Sequence, residues 1–131
     1  VMRAVRPAAK VYGAEPETAA PLSASFAAGR PVRFDQWTAS FVDGAGGKSV
    51  LPSMWPLLHP HVRESIVVSL DDAAAAMRHV AERVHVVIEG AAACAVAAAL
   101  SGRMGTGKIV AVVSGGNIDL SRFATLIGAC P

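Results

Sequence analysis

The chain of 131 residues has the length of one ordinary domain, a formal net charge of +2 and 53% hydrophobic residues. Its 17% charged residues lie below the roughly one quarter of an average soluble domain, so the chain has more apolar surface than usual to bury. The scattered basic residues exclude an electrostatic surface for nucleic acid. The uncharged apolar stretch at residues 90–102 is shorter than the roughly 20 apolar residues of a membrane-spanning helix.

The first predicted elements are a short helix and a strand. Met2–Val5 has the pattern of a last helical turn, because Pro7 follows and disfavours helical geometry before it. A helix that ends so early implies missing sequence upstream. Val11–Ala14 is short and rich in β-formers, which predicts a buried parallel strand.

Irregular connections follow this strand. The pattern predicts a helix over Thr18–Ala28 that closes at Gly29, a residue that turns readily into the left-handed region. Residues 30–60 are rich in proline and glycine, which predicts long connections. A short helix is expected within them, over Val50–Leu58.

The pattern then becomes regular. Ser65–Ser69 predicts a strand, and Ser69 with Asp72 three residues later predicts the cap of a helix that runs to Val84. His85–Glu89 reads as another short strand. In the predicted helix that ends at Val84, apolar residues recur on one face, which is typical of a helix that packs on a sheet.

The last elements complete the alternation of strands and helices. We expect a buried helix over Gly90–Leu100, a fully buried parallel strand over Ile109–Val113, and a last helix, capped by Asp119 or Ser121, to about Ile127. Alternation at this spacing predicts an α/β domain whose mostly parallel sheet is flanked by helices.

A partial phosphate-loop pattern lies before the last predicted strand. Gly102, Gly107 and Lys108 match most of G-x-x-x-x-G-K, but Ile109 stands where a metal-binding hydroxyl is needed. A phosphate loop runs from a strand into a helix, whereas this one runs from a helix into a strand. The reversed order argues against nucleotide binding.

The cysteines and histidines do not form a metal-binding pattern. Cys94 and Cys130 lie far apart, without a second cysteine or a histidine at ligand spacing, so the sequence predicts neither zinc nor a disulfide framework. This cysteine usage fits a reducing cytoplasm. Four histidines share no ligand spacing: His59, His61, His79 and His85.

A glycine-rich turn follows the strand predicted at Ile109–Val113. Ligands of open parallel sheets bind at the carboxyl ends of strands, and small residues there let a flat ring approach the backbone. Ser114 can present its hydroxyl to such a ligand. From the residues alone an ordinary turn remains open, with Asn117 in a left-handed conformation and Asp119 as a helix cap.

Residues 110–120, Val-Ala-Val-Val-Ser-Gly-Gly-Asn-Ile-Asp-Leu, resemble the closing segment of the fold type II pyridoxal-phosphate dehydratases and serine racemases, and differ from that of their cysteine synthase relatives. Three further segments agree with this family in the same order: Val11–Glu17, Phe41–Gly44 and Val86–Ala93. Together they cover nearly the whole chain. The resemblance implies the C-terminal part of the large domain of a tryptophan synthase β-like enzyme.

The resemblance also implies a cofactor site for pyridoxal 5'-phosphate. By analogy with the family, Ser114 bonds the pyridine nitrogen, Gly115 and Gly116 border the ring, Asn117 shapes the turn, and Glu89 approaches the far side of the ring. No catalytic residue is expected in the chain itself.

The family further implies a Mg²⁺ or Ca²⁺ ion held by two carboxylates and a backbone carbonyl. Glu15 and the carbonyl of Ala19 match two of these ligands. The second carboxylate position holds Pro21, so the chain departs from the family there. We therefore expect weak or no specific cation dependence.

In this family the Schiff-base lysine and the phosphate loop lie upstream of the matched region. Lys10, Lys48 and Lys108 occur in neither context. We therefore expect a fragment that is inactive alone and that needs the upstream half of the same protein.

The implied activity is dehydration of L-threonine or L-serine to a 2-keto acid and ammonia. An amino-acid racemase and a dehydratase of another hydroxy amino acid are alternatives, and a non-catalytic interaction or regulatory fragment is a hypothesis from another class. The expected partners are a small amino-acid substrate and further copies of the enzyme, with neither membrane nor nucleic acid.

Overall fold

The computed structural model of the protein describes residues 2–128. Within them, six helices and two strands follow in chain order: α1 Met2–Val5, β1 Val11–Pro16, α2 Pro21–Ala28, α3 Trp55–Leu58, β2 Val62–Val68, α4 Leu70–Val84, α5 Gly90–Leu100 and α6 Leu120–Gly128. The predicted α/β class is confirmed. Cys130 lies outside the described residues.

The two strands form a parallel sheet. Their register runs from Val11 opposite Val62 to Pro16 opposite Val68, and the amide of Glu17 extends the pairing by donating to the Val68 carbonyl at 2.8 Å. The predicted strand at Val11–Ala14 is present, but its predicted burial is wrong, because Val11 is exposed and residues 12–14 are half-buried; the buried residues Glu15 and Pro16 follow them. The buried end of β1 is therefore the part that meets the rest of the fold.

Helices α4 and α5 pack against each other, and α5 packs against both strands of the sheet. The predicted apolar face of α4 is confirmed at Ala73, Met77 and Val80, which are buried, but Val84 at the helix end is 60% exposed. Helix α5 is made mostly of alanine, and the small side chains allow close packing. The buried core joins both helices to β2 and to Val42 of the long connection.

Local signals determine where several helices begin and end. The Ser69 hydroxyl accepts a hydrogen bond from the Asp72 amide at 3.0 Å, which confirms the predicted cap of α4. Gly29 closes α2 with φ at 65°, also as predicted. Helix α2 begins at Pro21 and not at Thr18, because proline suits the first helical position, where no amide donor is needed.

The remaining helix boundaries differ modestly from the prediction. Helix α3 starts at Trp55, five residues later than expected, and residues 52–54 form a turn before it. Asp119 directly precedes α6, and its carbonyl accepts from the Phe123 amide at 2.8 Å. Ser121 lies inside that helix, so of the two proposed caps only Asp119 is placed at the helix start.

Two predicted strands are wrong. Within residues 2–128, neither His85–Glu89 nor Ile109–Val113 forms a strand. Ile109–Val113 was expected to be fully buried, yet Val110 is 88% and Val112 69% exposed. A parallel strand needs a hydrogen-bonded neighbouring strand, and within residues 2–128 neither segment pairs with one, although Ile88 is buried in the core. The Glu89 amide donates instead to the carbonyl of Gly115, in the turn after the second segment, at 3.1 Å.

None of the helices in the described range has the length and apolar character needed to cross a bilayer.

Cys94 offers a test of the packing of α5. Its side chain is fully buried, and burial raises the pKa of the thiol to about 11. The reactive thiolate is then scarce, about one molecule in a thousand at a pH of about 8. In the folded protein with Cys130→Ser, we expect iodoacetamide to leave Cys94 unmodified at this pH and to modify it rapidly in denaturant. Rapid modification of the folded protein would contradict this packing.

Candidate functional site

Three segments lie close together at the start of α5: the connection that carries Phe41 and Val42, the residues just before Gly90, and the glycine-rich turn at 114–119. Gly90 allows the first of these segments to approach α5. A Cβ atom at Gly90 would lie 3.0 Å from both the Phe41 carbonyl oxygen and the Val42 Cα. Any side chain at Gly90 would therefore push the connection that carries Phe41 and Val42 away from α5. This connection and the residue before Gly90 form one side of the site.

Glu89 brings a carboxylate to the glycine-rich turn. Its backbone stands at the N-cap of α5, but its side chain makes no capping hydrogen bond. The Glu89 Oε1 atom lies 2.7 Å from the position that a Cβ of Gly115 would take, and 3.8 Å from that of Gly44. The carboxylate thus lies beside two glycines that leave room for it.

Gly116 lies against the backbone of the segment before α5. A Cβ atom there would come within 2.6 Å of the Val87 carbonyl oxygen, a contact too short for real side chains. Neither Gly115 nor Gly116 has a positive φ. Both positions therefore require glycine for space and not for backbone conformation.

Ser114 and Asn117 flank these glycines. The Ser114 side chain is exposed and makes no hydrogen bond within residues 2–128, so its hydroxyl is available to a ligand. Asn117 does not adopt the left-handed conformation expected of an ordinary turn, since His85 is the single described non-glycine residue with positive φ. The interpretation as an ordinary turn loses the support of Asn117, whereas the close contacts of Gly115 and Gly116 are with Glu89 and Val87 of the protein itself.

A polar cleft of about 220 Å³ opens beside this turn. Its lining combines side chains of all three segments with the start of α6: Phe41, Asp43, Glu89, Asn117, Ile118, Asp119 and Arg122. Asp43 and Arg122 were not predicted as site residues. Asp43 belongs to a segment that carried the family resemblance, whereas nothing in the sequence singled out Arg122, three residues after Asp119.

The predicted cation ligands lie away from this cleft, at the end of β1. Glu15 is 8% exposed and its oxygens accept hydrogen bonds from protein donors, while Ala19 is 1% exposed. Within the described range, no group of three or more His, Cys, Asp or Glu side chains is arranged to hold a metal ion.

A comparison with known protein families shows which family the chain belongs to. The model of the family described as "Pyridoxal-phosphate dependent enzyme" matches residues 1–115. The chain belongs to this family. The match includes Glu89 and reaches Ser114 and Gly115, so most of the predicted cofactor residues lie inside it.

Individual members of the pyridoxal-phosphate family are similar over nearly the whole chain. The catabolic L-threonine dehydratase of Escherichia coli is 31% identical over 131 residues, covering 97% of this chain and 40% of the relative. The L-threo-3-hydroxyaspartate ammonia-lyase of Saccharomyces cerevisiae is 32% identical, covering 95% of this chain and 39% of the relative. The chain spans about 40% of the length of these relatives.

A solved structure confirms the fold. Maize serine racemase superimposes with a TM-score of 0.82 at 30% identity, covering 94% of this chain and 40% of that chain. The arrangement of parallel strands and helices is thus that of a fold type II pyridoxal-phosphate enzyme.

Proposed function

We propose that this chain is the C-terminal part of the cofactor-binding large domain of a pyridoxal-phosphate-dependent lyase. The parent protein, the longer polypeptide proposed to contain it, would convert L-threonine or L-serine to a 2-keto acid and ammonia. The observation that carries this proposal is the free Ser114 hydroxyl beside glycines pressed against Glu89 and Val87. The similarity to a threonine dehydratase over 97% of the chain supports the choice of reaction.

The residues of the turn fit a flat heteroaromatic ring. Pyridoxal phosphate, when bound, supplies an electron sink for the substrate carbanion. Ser114 would hold the ring nitrogen through its hydroxyl, which donates or accepts but does not ionise near neutral pH. Serine therefore leaves this nitrogen without the fixed proton that a carboxylate partner would stabilise. Gly115 and Gly116 would border the ring, Asn117 would shape the turn, and the Glu89 carboxylate would face the ring.

The lysine that attaches the cofactor and the phosphate loop are assigned to the upstream half of the parent protein. Lys48 has another role, since its Nζ lies 4.0 Å from the centroid of the Trp37 ring, a cation–π contact. Lys10 and Lys108 are exposed and lie outside the cleft. On this assignment, residues of the chain position the cofactor, and none of them is catalytic.

The exposed apolar segments support a covering partner. Val110, Val112 and Val113 are each about half exposed or more, although their segment has the composition of a buried parallel strand. We assign its cover to the upstream half of the same polypeptide. We propose that the parent protein is a cytoplasmic homo-oligomer.

The isolated chain provides a direct test of the proposal that the cofactor lysine and the phosphate loop lie in the upstream half. When the 131-residue chain is incubated with pyridoxal phosphate and reduced with borohydride, we expect no cofactor on Lys10, Lys48 or Lys108 by mass spectrometry. It should release no keto acid from threonine and should self-associate in sedimentation. Specific labelling of one lysine, or a monomer that melts cooperatively, would contradict the proposal.

Racemisation is the second candidate activity, because maize serine racemase shares the fold at a TM-score of 0.82. A racemase returns the amino acid with inverted Cα and keeps the β-hydroxyl, whereas a dehydratase releases ammonia. Chiral analysis of L-serine incubated with the parent protein therefore distinguishes the two.

A further inference from the structure

The carboxylate of Glu15 is enclosed by hydrogen-bond donors of the protein. Its Oε1 accepts from the Leu22 amide at 2.7 Å, and its Oε2 accepts from the Ser23 amide at 2.8 Å and from the Ser65 hydroxyl at 2.7 Å. The residue is 8% exposed. Short bonds to an ionised acceptor in a buried setting are among the stronger hydrogen bonds in proteins.

These bonds satisfy the first turn of α2. The first amides of a helix have no partner within the helix, and they form its positive end. Ala20 precedes the helix and offers no side-chain acceptor, and Pro21 at the first position has no amide proton. Leu22 and Ser23 provide the next two amides, and both donate to Glu15. The carboxylate at the end of β1 thus replaces the missing N-cap.

The same carboxylate is the first ligand of the divalent cation that the family resemblance implies. A divalent cation of this kind takes six or more oxygen ligands, with carboxylates among them. Here the Glu15 oxygens already accept three bonds, Pro21 adds no side-chain oxygen, and the described residues hold no metal-binding cluster. The residues present do not fit the ion.

We propose that Glu15 is a fixed anionic cap of α2 and binds no cation, and that Pro21 marks this replacement. The positive end of α2 takes the place of the ion in holding the carboxylate at the end of β1. The link between β1 and α2, completed by Ser65 of β2, is then permanent and independent of divalent cation concentration. This inference does not depend on which amino acid the parent protein converts.

Glu17 provides a matched control two residues further along. Its Oε1 accepts from the Leu70 amide at 2.9 Å, at the start of α4, but this bond is exposed and single. Both glutamates therefore cap a helix from the end of β1. They differ in burial and in the number of bonds.

Thermal unfolding of the parent protein tests the cap. Glu15→Gln should lower Tm by about 3 to 6 °C, because an amide group cannot accept from both backbone donors. Glu17→Gln should lower it by no more than about 2 °C, since exposed caps contribute less. A Glu15→Gln protein as stable as wild type would contradict the cap.

Cation titration tests the exclusion of the ion. CaCl₂ or MgCl₂ at millimolar concentration should leave the Tm of the wild type unchanged relative to chelator at equal ionic strength. Pro21→Asp restores the second carboxylate, so its Tm should rise with either cation, and Pro21→Asn should show no rise. A cation-dependent rise in wild type that Glu15→Gln abolishes would overturn the proposal. Absence of a gain in Pro21→Asp would contradict the role given to Pro21.

Discussion

Replacing Ser114 with alanine should lower kcat for threonine or serine in the parent protein by about 10- to 100-fold, with little change in the fold. A buried ring nitrogen would lose its hydrogen-bond partner, which costs about 1 to 3 kcal/mol and disturbs the alignment of the reacting groups. The Ser114 hydroxyl makes no bond within the described residues, so its removal should leave stability unchanged. Keto-acid release and Tm, measured on the same preparation, check both parts.

Ser121 is the control for this variant. It is an exposed serine at the start of α6, and its hydroxyl takes part in no hydrogen bond within residues 2–128. Ser121→Ala should keep wild-type rates and stability. Wild-type turnover and cofactor fluorescence in Ser114→Ala would show that Ser114 does not touch the cofactor, and would return the turn to a purely structural role.

Replacing Gly116 with alanine should have the largest effect on the site as a whole. The new methyl group would lie 2.6 Å from the Val87 carbonyl oxygen, and a backbone atom cannot move away cheaply. Overpacking of this kind costs about 1 to 3 kcal/mol, and it should separate the turn from the segment before α5. We expect a lower Tm of the parent protein and a cofactor Kd raised at least tenfold.

Gly115 and Gly47 provide graded comparisons for Gly116→Ala. At Gly115 the clash is with the flexible end of Glu89, 2.7 Å away, so alanine should displace the carboxylate at a smaller cost in stability. At Gly47 nothing lies within 4 Å and φ is not positive, so alanine should be neutral. Equal effects at Gly116 and Gly47 in cofactor titrations would contradict the proposed role of the glycine-rich turn in cofactor binding.

The sequence predicts best the elements that depend on neighbouring residues. Helix α4 has its cap signal, apolar face and end within one continuous stretch, and its bounds are those expected. The segments His85–Glu89 and Ile109–Val113 have the composition of strands but not the partners. Strand formation depends on residues distant in the chain, and the described residues do not provide them.

The candidate site likewise contains residues that the sequence predicts and residues whose positions depend on distant parts of the chain. The glycines of the turn are visible in the sequence, and the family resemblance implied that Glu89 approaches the far side of the ring that they border. The role of Glu15 could not be predicted, because its bond to Ser65 joins residues 50 positions apart and its bonds to α2 depend on the angle between strand and helix. Asp43 and Arg122 reach the cleft for similar reasons, from a long connection and from one turn of α6.

The proposed dehydratase activity can be tested by product analysis of the parent protein, loaded with pyridoxal phosphate and supplied with L-threonine, L-serine and L-threo-3-hydroxyaspartate. We expect equimolar ammonia and 2-keto acid from threonine or serine, with the rate strongly reduced by Ser114→Ala. Formation of D-serine without ammonia, turnover of hydroxyaspartate alone, or no turnover of any substrate would contradict it.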